Sequence, residues 1–164
     1  YFPHNSVALV ERLTDHLADP PADGARERLW QVRAREVVLA AGAIEQPLVF
    51  PGNDRPGVML AGAAKTYLRR YGVRAGTRAA LVTTTDAACL AALDLHAAGV
   101  EVAVIADLRP AATGAWAEAA RRAGIEVLAG ATVNGTQGGK RVTGITVGGR
   151  TLDCDLVLMS GGWV

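Results

Sequence analysis

Apolar residues fall along this chain in two rhythms, strict alternation and helical spacing, and each predicts a different element. Between Val7 and His16, Val7, Leu9 and Leu13 share one parity while Arg12, Thr14 and His16 take the other. Successive side chains of a strand point to opposite faces, so this alternation predicts a half-exposed strand. The turn formers Asp19-Pro20-Pro21-Ala22-Asp23-Gly24 come next, and Leu29-Trp30-Gln31-Val32-Arg33 alternates again. Two antiparallel strands joined by a loop are the expected result. After Arg35-Glu36 the rhythm stops: Val37-Val38-Leu39-Ala40-Ala41-Gly42 is a continuous apolar run ending in small residues, as a strand buried on both faces requires.

From Ile44 to Pro56 the chain is rich in Pro, Gly and Asn, which marks irregular structure and a first domain boundary. Helical spacing takes over between Gly57 and Tyr71, where Met59, Leu60, Ala63, Ala64, Tyr67, Leu68 and Tyr71 recur at the right intervals. Arg69 and Arg70 suit the last turn, and Gly72 is placed for a left-handed cap. Residues 78–107 read as one strand–helix–strand unit. Ala79 to Val82 is apolar, Thr83-Thr84-Thr85-Asp86 offers caps, Ala87 to Ala98 is an Ala/Leu helix, Gly99 stops it, and Val100 to Ile105 is the second strand. A crossover of that length makes the two strands parallel neighbours. Another helix is expected over 115–123, stopped by Gly124, with Ile125 to Leu128 as a third strand of the sheet. The Gly-rich stretch 133–150 alternates through Val142, Ile145 and Val147 and suits a hairpin or meander. The last apolar run, Leu156-Val157-Leu158-Met159, ends in Ser160-Gly161-Gly162, much as the first ends in Ala40-Ala41-Gly42. The predicted class is α/β, a Rossmann-like parallel sheet with crossover helices.

Ligands of open α/β sheets lie beyond the carboxyl ends of the strands, where small residues let the backbone approach closely. Both triplets meet that requirement, although strand termination and tight packing explain each one alone. Two matched triplets flanking a complete strand–helix–strand unit favour a cofactor-facing role. The unit itself lacks the dinucleotide fingerprint G-x-G-x-x-G: counting back from Gly99, its glycine positions fall on Thr83, Thr85 and Ala88. A Cβ forced into left-handed geometry costs about 1–2 kcal/mol, and the threonine branch occupies the ligand's space, so the fold persists while the site is lost. Asp107 stands where a ribose-binding acid would, but without a phosphate cradle it reads as an ordinary strand-end carboxylate. Thr83 to Asp86 suit either helix capping or weak anion binding.

Composition narrows the possibilities. The net charge is +1 and Lys and Arg are spread along the 164 residues, so the footprint of a nucleic-acid partner is missing. No apolar run approaches the roughly 18 residues of a membrane span, and no signal peptide opens the chain, so no membrane partner is expected and the cytoplasm is the expected compartment. Cys89 and Cys154 lie far apart and read as reduced core residues. His4, His16 and His96 share no metal-ligand spacing, and no serine, histidine and carboxylate set forms a triad, so neither a metal site nor a catalytic residue is assigned. The chain opens without Met at Tyr1 and stops at Val164 just after a strong strand signal, and it reads as an internal piece of a longer protein, unable to catalyse anything alone.

Two stretches carry a family resemblance. Val37 to Phe50 (VVLAAGAIEQPLVF), then Asn53 to Ala63 (NDRPGVMLAGA) and Tyr67 to Val73 (YLRRYGV), resemble the alpha subunit of heterotetrameric sarcosine oxidase, as does Asp155 to Trp163 (DLVLMSGGW). The resemblance implies a first FAD/NAD-binding-type domain comprising residues 1–48, an inserted Rossmann-like domain over 58–152, and a return strand to the first domain over 153–164. It further implies that the alpha subunit holds NAD near Ala40, Ala41, Gly42, Ser160, Gly161 and Gly162. Sarcosine oxidation would then occur at FAD in a partner subunit, with FMN between subunits, oxygen as electron acceptor, and formaldehyde passed to tetrahydrofolate in a C-terminal domain. Ala41 replaces the threonine common at its position, and the glycine-rich loop of the first domain is not in this sequence. A related amine or imino-acid dehydrogenase complex, such as a hydroxyproline- or opine-oxidising enzyme or a cyanide synthase, and a scaffold domain serving subunit contact, remain open alternatives.

Overall fold

The computed structural model describes residues 3–164. The chain divides into two compact units, residues 1–42 and Ala43–Val164. In the first, β1 (Ser6–Arg12) and β2 (Glu27–Arg33) form the expected antiparallel hairpin, in register from Ser6↔Arg33 to Arg12↔Glu27. Glu11 holds the outer face: one carboxylate oxygen accepts from Trp30 Nε1 at 2.9 Å and from Arg28 at 3.2 Å. The expected buried strand over 35–42 does not form. Val38 and Leu39 are 89% and 78% exposed and join no ladder. An all-apolar strand is stable only between sheet neighbours with both faces covered, and no described residue supplies them.

The second unit contains the predicted α/β core. A five-stranded sheet runs in the order β3-β10-β4-β5-β6, built from β3 (Val58–Leu60), β4 (Arg78–Thr83), β5 (Glu101–Asp107), β6 (Val127–Leu128) and β10 (Leu156–Ser160). All its pairings are parallel. Its helices are α1 (Ala61–Tyr71), α2 (Cys89–Ala97) and α3 (Ala115–Arg122). Gly72 closes α1 at φ 66°, its N–H bonded to the Leu68 carbonyl, the left-handed cap its position predicted. The meander is three antiparallel strands: β7 (Val133–Gln137), β8 (Gly144–Val147) and β9 (Arg150–Asp153).

Side-chain alternation on the sheet separates two cores. Ala79, Leu81, Leu156 and Leu158 pack with Leu95 and the alanines of the helices, while Ala80, Val82, Val157 and Met159 pack with Val142, Ile145 and Val147 of the meander side. Helices therefore cover one face of the sheet and the meander the other. In β5 the register slips by one residue, so that Ala79 faces Val102 and Ala80 faces Val104. This bulge sends Val102 to the helix side and Val104 to the meander side despite their equal parity.

β10 lies between β3 and β4, with Leu156 opposite Ala79 and Ser160 opposite Thr83. Asp155 fixes its entry by accepting from Thr77 N–H, Thr77 Oγ1 and Arg78 N–H at 2.7–3.0 Å. Burial pushes the Asp155 carboxyl up, and these hydrogen bonds outweigh it, leaving it below its ordinary value.

Candidate functional site

The carboxyl ends of β4, β5 and β10 form the edge at which a sheet of this class presents ligands, and the polar groups there are largely satisfied by one another. Thr83 is fully buried. Its Oγ1 accepts from Thr85 N–H at 3.0 Å and donates toward the Thr85 carbonyl at 3.0 Å or the Ser160 carbonyl at 3.2 Å. Thr84 N–H donates to the same Ser160 carbonyl at 3.1 Å. The turn after β4 is therefore closed upon itself and tied to β10, with a hydroxyl where a phosphate-binding loop would present bare backbone.

Asp107 is closed off as well. It is fully buried and accepts from Arg109 Nε at 2.9 Å, Arg109 Nη2 at 2.5 Å and Arg109 N–H at 3.0 Å. Both carboxylate oxygens are thus engaged by one neighbouring residue, leaving none for a ribose. Asp86 does not cap the helix it precedes. Its carboxylate instead accepts from Trp116 N–H at 3.1 Å and Ala117 N–H at 2.9 Å, which cap α3. Gly114 makes this possible, since a Cβ there would stand 2.0 Å from the Asp86 carboxyl carbon. These residues do not fit a bound dinucleotide, in keeping with the absent fingerprint.

The two small-residue triplets lie in different settings. Ala40, Ala41 and Gly42 are exposed in the irregular end of the first unit, with Gly42 at φ 78°. They are not a strand tip, so the matched pair of strand ends expected from sequence has only its second member. Ser160 ends β10 fully buried, and its Oγ has no hydrogen-bond partner. Gly161 N–H donates to the Gln46 carbonyl at 2.7 Å, and a side chain there would press on Gln46 and Leu48 at 3.2 Å. Gly162 sits at φ 100° with open space where a Cβ would go.

Sequence reasoning passed over Glu45. Residues 44–46 pair antiparallel with 162–164, with Glu45 opposite Trp163. The Glu45 side chain is buried and accepts from Gly62 N–H at 2.8 Å, capping α1 from a distant segment. It lines a cavity of about 730 Å³ together with Leu60, Tyr67, Tyr71 and Trp163. Only the Pro/Gly density around it was visible in the sequence.

Cys89 and Cys154 are buried free thiols, as expected, and burial pushes both up to about 11, aided by Asp86 and Asp107 for Cys89 and by Asp155 for Cys154. No group of three metal-ligating side chains occurs among the described residues, and none of their helices is long and apolar enough to cross a membrane.

Comparison with known proteins supplies what this geometry does not. No family model matches the chain. The sarcosine oxidase alpha subunit of Rhizobium meliloti (strain 1021) is 44% identical over 167 residues, covering 99% of this chain and 16% of that protein. The alpha subunit from Corynebacterium sp. (strain P-1) is 50% identical over 134 residues, covering 81% of this chain and 14% of that protein. The chain belongs to the sarcosine oxidase alpha-subunit family. It spans about one-sixth of the length of such subunits, so it corresponds to a fragment of one. Among solved structures, T. acidophilum thioredoxin reductase aligns with a TM-score of 0.61 at 16% identity, covering 84% of this chain and 48% of that one. L-proline dehydrogenase from P. horikoshii aligns at 0.57 and 21%, covering 83% of this chain and 23% of that one. At such identities the likeness establishes the Rossmann-like fold alone.

Proposed function

We propose that this chain is an internal part of the cofactor-holding alpha subunit of a sarcosine oxidase-like complex, acting on the CH–NH group of an amine and inactive in isolation. The observation that carries the reading is 44% identity sustained over 99% of the chain. In the complex, two electrons and two protons leave the N-methyl C–H and the N–H of sarcosine and end on O2 as hydrogen peroxide. The methyl carbon leaves at the oxidation level of formaldehyde, to be taken by tetrahydrofolate, and glycine remains. FAD and FMN supply the redox chemistry when bound elsewhere in a cytoplasmic heterotetramer. This chain contributes a parallel sheet and residues that lie near NAD.

These are Ala40, Ala41 and Gly42 in the first unit and Ser160, Gly161 and Gly162 in the second. In favour of this assignment, the backbone at Gly42 and Gly162 is open to close approach, and the Ser160 hydroxyl lacks a partner. The turn after β4 is assigned a structural role, because Thr83 and the Asp107–Arg109 clamp occupy its ligand positions.

The test is to express the full subunit with its partners and measure hydrogen peroxide on adding sarcosine. Stoichiometric peroxide and glycine are expected. A flavin-loaded complex that leaves sarcosine untouched would overturn the substrate assignment. For NAD, calorimetry on the full subunit should show binding that is weakened by Gly162→Val and insensitive to Thr85→Val. The reverse pattern would move the site to the turn after β4.

A further inference from the structure

Gly62 lies within α1, where glycine costs about 1 kcal/mol relative to alanine and where its backbone needs no unusual conformation. Its reason is proximity. A Cβ would stand 2.6 Å from Glu45 Oε2 and 3.1 Å from the Trp163 ring, so a carboxylate and an indole meet over the same bare Cα. Glu45 is 6% exposed, and no Lys, Arg or His among the described residues pairs with it. Buried carboxylates are ordinarily matched by a cation; here one backbone N–H at a helix start does part of that work. The cavity beside it is walled by Tyr67, Tyr71, Trp163 and Leu60. Tyr71 and Trp163 are 60% and 53% exposed. Tyr71 already carries the Arg70 guanidinium at 5.7 Å and its ring lies 6.2 Å from that of Tyr67, which leaves Trp163 and Tyr67 as the walls without a cation.

We propose that this groove is the seat of a Lys- or Arg-bearing segment of the same alpha-subunit polypeptide, from outside these 164 residues. The aliphatic stem of such a residue packs on Tyr67 and Trp163, and its cationic head reaches Glu45. Charge complementarity selects a cation, and the aromatic walls select one on a long apolar stem. The segment belongs to the same polypeptide because the chain spans only 14–16% of its relatives' length. A tethered segment also meets its groove at high effective concentration, so one anchoring residue suffices. The inference rests on family membership and not on sarcosine being the substrate.

The experiment replaces Tyr71 by the photo-crosslinker p-benzoylphenylalanine in the full subunit, assembled with its partners, and maps the cross-linked peptides by mass spectrometry. Position 71 is 60% exposed at the end of α1, and unchanged circular dichroism and assembly of the substituted subunit confirm that the fold is kept. The expected product joins residue 71 to a Lys- or Arg-containing peptide of the same polypeptide lying outside residues 1–164. Adding Glu45→Gln, which keeps an acceptor for Gly62 N–H and removes the charge, should lower that yield about fivefold, the order of effect of losing one partly buried ion pair. A product with another subunit, with a second copy, or from within these residues overturns the proposal. So does the absence of a product, or a yield indifferent to Glu45→Gln. Because the readout is a cross-link and not turnover, its failure is distinct from failure of the substrate assignment.

Discussion

Gly114→Ala should destabilise the protein by displacing a side chain that belongs to a different element. Gly114 precedes α3 at φ −73°, a conformation that alanine adopts freely. By backbone entropy alone the change would stabilise by about 0.4–1 kcal/mol. The new methyl, however, would lie 2.0–2.4 Å from all three atoms of the Asp86 carboxyl group. That group must swing away, and the N–H groups of Trp116 and Ala117 lose their acceptor. Loss of a cap costs about 1–2 kcal/mol, so the net loss is about 0.5–1 kcal/mol, or a melting temperature lower by roughly 1–4 °C in a chain of this size. The decisive measurement is a double-mutant cycle by urea denaturation. Asp86→Ala alone should cost about 1–2 kcal/mol, and in that background Gly114→Ala should become neutral or stabilising, because nothing remains to displace. If Gly114→Ala costs as much without Asp86 as with it, the displacement account is wrong.

Three further outcomes follow from named contacts. Arg109→Ala strands the fully buried Asp107 carboxylate and should cost about 3 kcal/mol in urea melts; adding Asp107→Asn should recover most of it, and a loss that is not recovered would show that Arg109 acts through its packing. The native thiols, raised to about 11 by burial, should resist iodoacetamide at pH 8 and react fully in urea, read by mass; labelling of native protein at the denatured rate would contradict their burial. Asp155 is held below its ordinary 3.8, so its contribution is complete above that value and is lost as pH falls through the lower folded-state value. Asp155→Asn should therefore flatten the fall in urea midpoint as pH drops below 3.8 and remove about 1–2 kcal/mol at neutral pH; an unchanged acid limb would assign it to other carboxylates.

Elements whose partners lie inside the chain were legible in the sequence. The hairpin, the body of α1 with its Gly72 cap, the strand–helix–strand unit and the meander announce themselves by period and by stop signals, whereas Val58–Leu60, expected as the first turn of α1, form the sheet strand β3. The run Val37–Gly42 has a strand's composition without a sheet to join, and composition cannot report a missing neighbour. The return of β10 to β4 was hidden for a related reason: both-face burial identifies an interior strand but not which sheet it enters. At the site, the sequence showed that the fingerprint glycines are replaced by Thr83, Thr85 and Ala88. The outcome, Thr83 closing its own turn and Arg109 seizing Asp107, depends on side-chain reach across the fold. Glu45 was beyond sequence reasoning, since its partner Gly62 lies seventeen positions away in another element.

The strand order carries a consequence for biogenesis. The strand made last among the described residues is the second in the sheet, wedged between β3 and β4. Until residues 156–160 leave the ribosome, β3 and β4 have no direct ladder to each other, and each keeps an open edge facing the gap. Such edges recruit other chains. The nascent domain therefore stays sticky through some seventy residues of synthesis after β4, and truncations ending in the meander should collect in inclusion bodies, not as a smaller soluble fold.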